Sequence, residues 1–263
     1  MKSSDQPYAA MARAWMETML VSLKKLSKND LDEINKITTR TTILAMRCDA
    51  EASLVVACDG LASSGWGQKY RTNSDKIDML DEFSAIASCG FASPPQQATP
   101  MLRRIFGTHD CIEGRELSVD GKLHLVDLVT EWFCDVGLYF YPIFAAFDHK
   151  ANRGRIFDLW GPGGGHDEKE RYYANGSGGD TAFTILQNGY HLVRSTDDAV
   201  RLAIYAIHRA AHRVNSANEP QHIKIVRANG YERIFSGQIQ KELDNIRKND
   251  CPVCREEREG GVV

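Results

Sequence analysis

Residues 41–80 read TTILAMRCDAEASLVVACDGLASSGWGQKYRTNSDKIDML, and the interpretation of this stretch decides the fold. Thr42 to Met46 and Ser53 to Ala57 are short, mostly apolar runs in which β-branched residues favour strands, and the polar CDAEAS between them suits a hairpin turn. Asp59 and Gly60 end the second run, and the polar, glycine-containing SSGWGQKYRTNS leads to Asp75, Lys76 and Ile77. If the two strands pair, Thr41 at the start of one lies near Asp59 at the end of the other. A lysine returning from the following loop then reaches both.

The remaining segments read as a sheet-and-helix succession around that hairpin. Residues 8–26 form an amphipathic helix with Met11, Trp15, Met19, Leu23 and Leu26 on one stripe, and Ser27-x-x-Asp30 caps a second short helix through Ile34 and Ile37. Ala85 to Ala92 is an apolar strand closed by Pro94-Pro95. ATPMLRRIFG and Leu123 to Val136 are helical, the latter with Leu123, Leu125, Val126, Val129 and Phe133 on one face. Tyr139 to Phe147 and Ile156 to Leu159 read as strands, and GPGGGHDEKER after them reads as a flexible loop that lacks the Lys-Ser/Thr ending of a phosphate-binding loop. Helices near Asp180 to Gln187 and Thr196 to Arg213 follow, then a hairpin turning at Asn229 and Gly230, and a helix from Gln238 to Arg247. This order fits an α+β fold, a four-layer αββα sandwich of two sheets between helix layers.

Composition bounds the function. Of 263 residues, 43% are hydrophobic and 25% charged, as in ordinary globular chains. With 32 basic against 35 acidic side chains the net charge is -3, which offers no basic surface for nucleic acid. The longest apolar run, LYFYPIFAAF, falls well short of the ~20 residues of a membrane helix, and no secretory pattern opens the chain. A cytoplasmic protein without membrane or nucleic-acid partners is the expectation. Seven cysteines do not form a disulfide framework, and Cys48, Cys58, Cys89 and Cys134 sit among apolar residues as small hydrophobes. Cys251 and Cys254 make a single CxxC with no second pair to complete a zinc site, and His208 and His212, four apart, lack the acid of HExxH and read as helix-surface histidines. No metal and no cofactor are expected.

A Thr-Thr pair opening a strand, a hairpin ending in Asp-Gly-x-Ala and a lysine about seventeen residues later resemble the proteasome β-type and HslV-like family of N-terminal-nucleophile (Ntn) threonine peptidases. The likeness extends to IASCGFAS at 86–93, NGSGGDTAF at 175–183 and AIYAIHRAAHR at 203–213. It implies a helical extension or propeptide over 1–40, an Ntn-hydrolase domain over 41–249 and a flexible tail over 250–263. It also implies roles for six residues: Thr41 as nucleophile, Lys76 tuning its hydroxyl, Asp59 orienting Lys76, the Gly90 amide as oxyanion donor, Ser177 on the amine, and Ser216 completing the network. The partners it implies are related subunits in a ring, unfolded polypeptide substrates and an ATP-dependent unfoldase. The other member-type open to such a chain is a non-catalytic ring subunit, in which Asp59 and Lys76 are a buried ion pair and nothing more.

Overall fold

The computed structural model describes residues 6–23, 37–39, 41–64, 69–71, 73–161, 163–213 and 219–248. In chain order these form α1 (Gln6–Leu23), β1 (Ile37–Thr39), β2 (Thr42–Cys48), β3 (Ser53–Asp59), β4 (Ala62–Ser64), β5 (Lys69–Arg71), β6 (Ile77–Met79), β7 (Ser84–Phe91), α2 (Ser93–Glu113) and α3 (Val119–Asp135). They continue as β8 (Phe140–Asp148), β9 (Arg153–Leu159), β10 (His166–Lys169), β11 (Tyr172–Gly176), α4 (Gly179–Gly189), α5 (Thr196–Arg213), β12 (Pro220–Arg227), β13 (Gly230–Ile234) and α6 (Ser236–Arg247).

Two antiparallel sheets result. One runs β11-β2-β3-β12-β13, and the other runs β10-β9-β8-β7-β1-β4-β5 with β6 also on β7. The hairpin β2–β3 turns through a 3-10 step at Asp49–Glu51, and Ala52 closes it at φ 46°. Both faces of β2 are covered, which is why it reads as a nearly continuous apolar run rather than an alternating one. Ile43 and Ala45 face the space between the sheets, with Leu54, Val56, Ala87, Ile143, Phe147 and Ile156. Leu44 and Met46 point the other way, onto Ala182, Leu186, Ala203 and Ile207 of α4 and α5. The opposite helix layer packs Leu102, Phe106, Val126, Val129 and Phe133 on Phe144 and Phe157. Helices, sheet, sheet, helices is the four-layer α+β sandwich that the order of elements implies.

Three details differ from expectation. Helix α1 buries Tyr8, Ala9, Ala12 and Met16, whereas Met11 is exposed, so its inward face is rotated from the expected stripe. It lies in one cluster with Leu102, Phe106 and Phe133, and Trp15 meets Trp132 edge-on at 6.3 Å. Ile37, expected in a helix, begins β1 instead, while Ser27 and Asp30 lie outside the described residues. His166–Lys169, expected as part of a loop, is the edge strand β10, paired in register with Ile156–Leu159 and held by Arg155 hydrogen bonds of 2.8 and 2.7 Å to Glu168. A row of charged residues is a common composition for an edge strand, since it discourages pairing with another chain. The prolines Pro94 and Pro95 open α2 at its first positions, where their missing N–H groups cost nothing. Among the described residues no helix is long and apolar enough to cross a membrane.

Candidate active site

Pairing of Ile43 with Cys58 sets Thr41 and Asp59 side by side at the open end of the β2–β3 hairpin. The Thr41 hydroxyl donates to Asp59 Oδ1 at 2.5 Å, and Lys76 Nζ donates to the same oxygen at 2.5 Å and to Thr41 Oγ1. All three residues are buried, Thr41 and Asp59 completely. Burying a carboxylate is costly unless it is paired and fully hydrogen-bonded. Asp59 meets that condition with Lys76, the Thr41 hydroxyl, the Thr42 amide at 3.0 Å and the Leu61 amide at 3.4 Å. Lys76 is aimed from a fixed backbone, since the Asp75 carboxylate caps the Ile77 amide at 3.0 Å and the Ser88 amide holds the Lys76 carbonyl at 3.0 Å.

Ser177 meets Thr41 from the other sheet edge. The Thr41 amide donates to Ser177 Oγ at 3.1 Å, the Ser177 hydroxyl donates to the Thr41 carbonyl at 3.2 Å, and the Gly178 amide approaches the same carbonyl at 3.3 Å. The glycines flanking Ser177 have a steric reason. A Cβ on Gly176 would stand 2.3 Å from the Thr41 carbonyl oxygen, and one on Gly178 would stand 2.2 Å from Thr42 Oγ1. Gly176 also has φ +93°, a region that residues with side chains rarely adopt. Gly90 lies on β7 opposite Thr39 and Phe140, at φ +102°, with no room for a Cβ against the Tyr139 carbonyl. Thus Thr41, Asp59, Lys76 and Ser177 converge, Gly90 borders them two residues upstream of Thr41 in the β1 register, and Ser216 lies outside the described residues.

Sequence reasoning missed a second polar group behind this one. His222 and Lys224 alternate inward on β12, both buried, opposite Cys58 and Val56 of β3. Lys224 Nζ lies 3.2 Å from Asp75 Oδ2 and donates to the Ile77 carbonyl, and His222 Nδ1 lies 3.8 Å from Asp75. These contacts brace the residues on either side of Lys76. Burial lowers the His222 pKa, with Asp75 opposing the shift. Burial likewise pushes the Cys58 and Cys89 thiols up to about 12, so neither supplies a thiolate near Thr41. Cys251 and Cys254 lie outside the described residues.

Two antiparallel sheets sandwiched between helices, with a threonine at the mouth of the first hairpin, define the class as a four-layer α+β sandwich. The family model described as proteasome subunit matches residues 37–226. A relative from Acidimicrobium ferrooxidans described as proteasome subunit beta is 30% identical over 217 residues, covering 78% of each chain. Proteasome subunit beta sequences from Streptosporangium roseum and a Parafrankia species are 28% identical over 234 residues and 27% over 216, covering 83% and 78% of this chain and 82% and 77% of their own. The chain belongs to the proteasome subunit family.

Proposed function

We propose that this chain is a threonine-type endopeptidase subunit of a proteasome-like ring, with Thr41 as its nucleophile once residues 1–40 are removed. The observation that carries the proposal is the buried convergence of Thr41 Oγ1, Lys76 Nζ and Asp59 Oδ1. A threonine hydroxyl needs a base, and a free α-amine, titrating near ~7.7–8.0, can serve where a backbone amide cannot. After cleavage the Thr41 amine takes the hydroxyl proton while Oγ1 attacks a peptide carbonyl. Lys76 lowers the cost of the developing alkoxide, the Gly90 amide meets the oxyanion, and the leaving amine takes the proton back. Water then hydrolyses the threonyl ester. Ser177, 3.1 Å from the Thr41 nitrogen, holds that nitrogen in place.

The strand just upstream supports a polypeptide substrate. β1 sits between β7 and β4, with Thr39 opposite Gly90 and Ile37 opposite Ser64. Removing it opens two strand edges, which an extended peptide fills by main-chain hydrogen bonds with little dependence on its sequence. Release of residues 1–40 begins as an N-to-O acyl shift, in which the Thr41 hydroxyl attacks the carbonyl of the preceding residue. Unfolded polypeptides delivered by an ATP-dependent unfoldase to a cytoplasmic ring of like subunits are the setting this chemistry fits.

Intact mass spectrometry and peptide turnover of wild type and Thr41→Ala test the reading. Loss of residues 1–40 and turnover in wild type alone are expected. Retention of residues 1–40 by assembled wild type would overturn it in favour of a non-catalytic ring subunit.

A further inference from the structure

The end of α5 carries a cluster that the peptidase chemistry does not use. His208, expected on the helix surface, is buried and its Nδ1 lies 2.7 Å from Glu219 Oε2. His212, one helical turn on, places Nε2 3.8 Å from Glu219 Oε1 and its ring edge-on to His208 at 4.5 Å. One donor atom from each of the three residues falls within 4.8 Å of the others. Bonds of ~2.0–2.2 Å to a tetrahedral zinc-class ion put its ligands about 3.3–3.5 Å apart, so modest side-chain rotations close the site.

We propose that His208, His212 and Glu219 bind one divalent transition-metal ion. Two imidazoles and one carboxylate suit Zn²⁺, Co²⁺ or Ni²⁺ rather than Mg²⁺ or Ca²⁺, which prefer all-oxygen shells. The protein supplies three ligands and solvent reaches the fourth position, because His212 has 65% of its side chain exposed. Arg247 is the competing cation: its Nη2 lies 3.4 Å from Glu219 Oε1, and it is half exposed, free to swing aside. The position gives the ion a structural consequence. Ala210, between the two histidines, packs within 3.0 Å of where a Gly178 Cβ would stand, and Pro220, next to Glu219, is the register partner of Asp59. An ion there ties α5 to β12, two elements that both flank the Thr41 cluster.

The test uses the full chain without a polyhistidine tag, stripped by a chelator, in a Cys251→Ser/Cys254→Ser background so that the CxxC contributes nothing. Calorimetric titration with Zn²⁺ is expected to show one ion per chain and a raised melting temperature. His212→Ala, at an exposed position that does not threaten folding, and Glu219→Gln are each expected to weaken binding by at least about tenfold, since even the loss of an outer-shell partner of a metal ligand costs that much. Arg247→Ala is expected to tighten it. Absence of Zn²⁺ binding, binding equal in wild type, His212→Ala and Glu219→Gln, or displacement by equimolar Mg²⁺ would overturn the proposal and leave an ion-paired helix end.

Discussion

Lys76 Nζ and Asp59 Oδ1 stand 2.5 Å apart with both side chains buried, so the ammonium that adjoins the Thr41 hydroxyl is also the counter-ion of a carboxylate cut off from water. Lys76→Ala therefore removes two things at once. On the proposed mechanism it is expected to abolish peptide turnover, and it strands the Asp59 charge, which typically costs 3–5 kcal/mol. The amides of Thr42 and Leu61 remain on Asp59, so a loss near ~3 kcal/mol is expected, read as a melting temperature lower by roughly 6–12 °C. Lys76→Met combined with Asp59→Asn removes both charges. It is expected to recover much of the stability and none of the turnover, and an active double variant would contradict the role given to Lys76.

The glycines around Ser177 make separable predictions. Gly178→Ala places a methyl group 2.2 Å from Thr42 Oγ1 and 3.0 Å from Ala210 Cβ, at an ordinary φ of -102°, so crowding acts alone. A cost of roughly 1–3 kcal/mol and slowed release of residues 1–40 are expected. Gly179→Ala, one residue on at the start of α4, meets only the Ala174 carbonyl at 3.4 Å. There the helix preference for alanine applies, worth up to about 1 kcal/mol, and the variant is expected to be neutral or slightly stabilised. Equal damage from both, in thermal melts and processing time courses, would refute the steric account.

His222 predicts a pH dependence. Its pKa is lowered in the folded chain by burial, so the folded state resists a proton that the unfolded chain accepts near 6.5. Stability is thus fully present above the unfolded value and declines as pH falls from there through the lower folded value. Melts between pH 7 and 5, above the range where exposed carboxylates titrate, are expected to show this decline, and His222→Gln is expected to flatten it. An unchanged slope in the variant would assign the decline elsewhere.

What the chain discloses before folding depends on how local each cause is. The β2–β3 hairpin is legible because both faces of β2 are buried and its apolar run is unbroken, and Gly176 and Gly178 of NGSGG are legible because the crowding against Thr41 and Thr42 leaves no room for a side chain there. The face of α1 is not, since close approach at Tyr8 and Ala12 outweighs the larger Met11, and only the partner surface on α2 and α3 decides that. Strand β10 is concealed because HDEK has no strand-forming composition of its own and is ordered by register with β9 and by Arg155. The buried pair His222 and Lys224 alternates visibly in the sequence, but its counter-charge, Asp75, comes from a loop far away in the chain. Glu219 is only eleven residues from His208, but no spacing or motif in the sequence marks the two as partners.

Gly90→Ala tests the part of the site where geometry and chemistry coincide. Its Cβ would stand 2.8 Å from the Tyr139 oxygen and 2.9 Å from Phe140 Cα, both backbone atoms, at φ +102°. Neither neighbour can rotate away, so β7 must shift against β8, and the Gly90 amide shifts with it. Removing one oxyanion donor typically costs ~100- to 1000-fold in rate. Because that interaction forms only in the transition state, the loss is expected in kcat, with KM nearly unchanged. Gly107→Ala, on α2 with nothing within 4 Å of its Cβ, is the matched control and is expected to retain full turnover. The comparison is made on peptide hydrolysis at a temperature where both variants are folded by circular dichroism. A folded Gly90→Ala subunit with wild-type kcat would remove Gly90 from the oxyanion site, whereas a rise in KM alone would assign it to holding the substrate strand between β7 and β4.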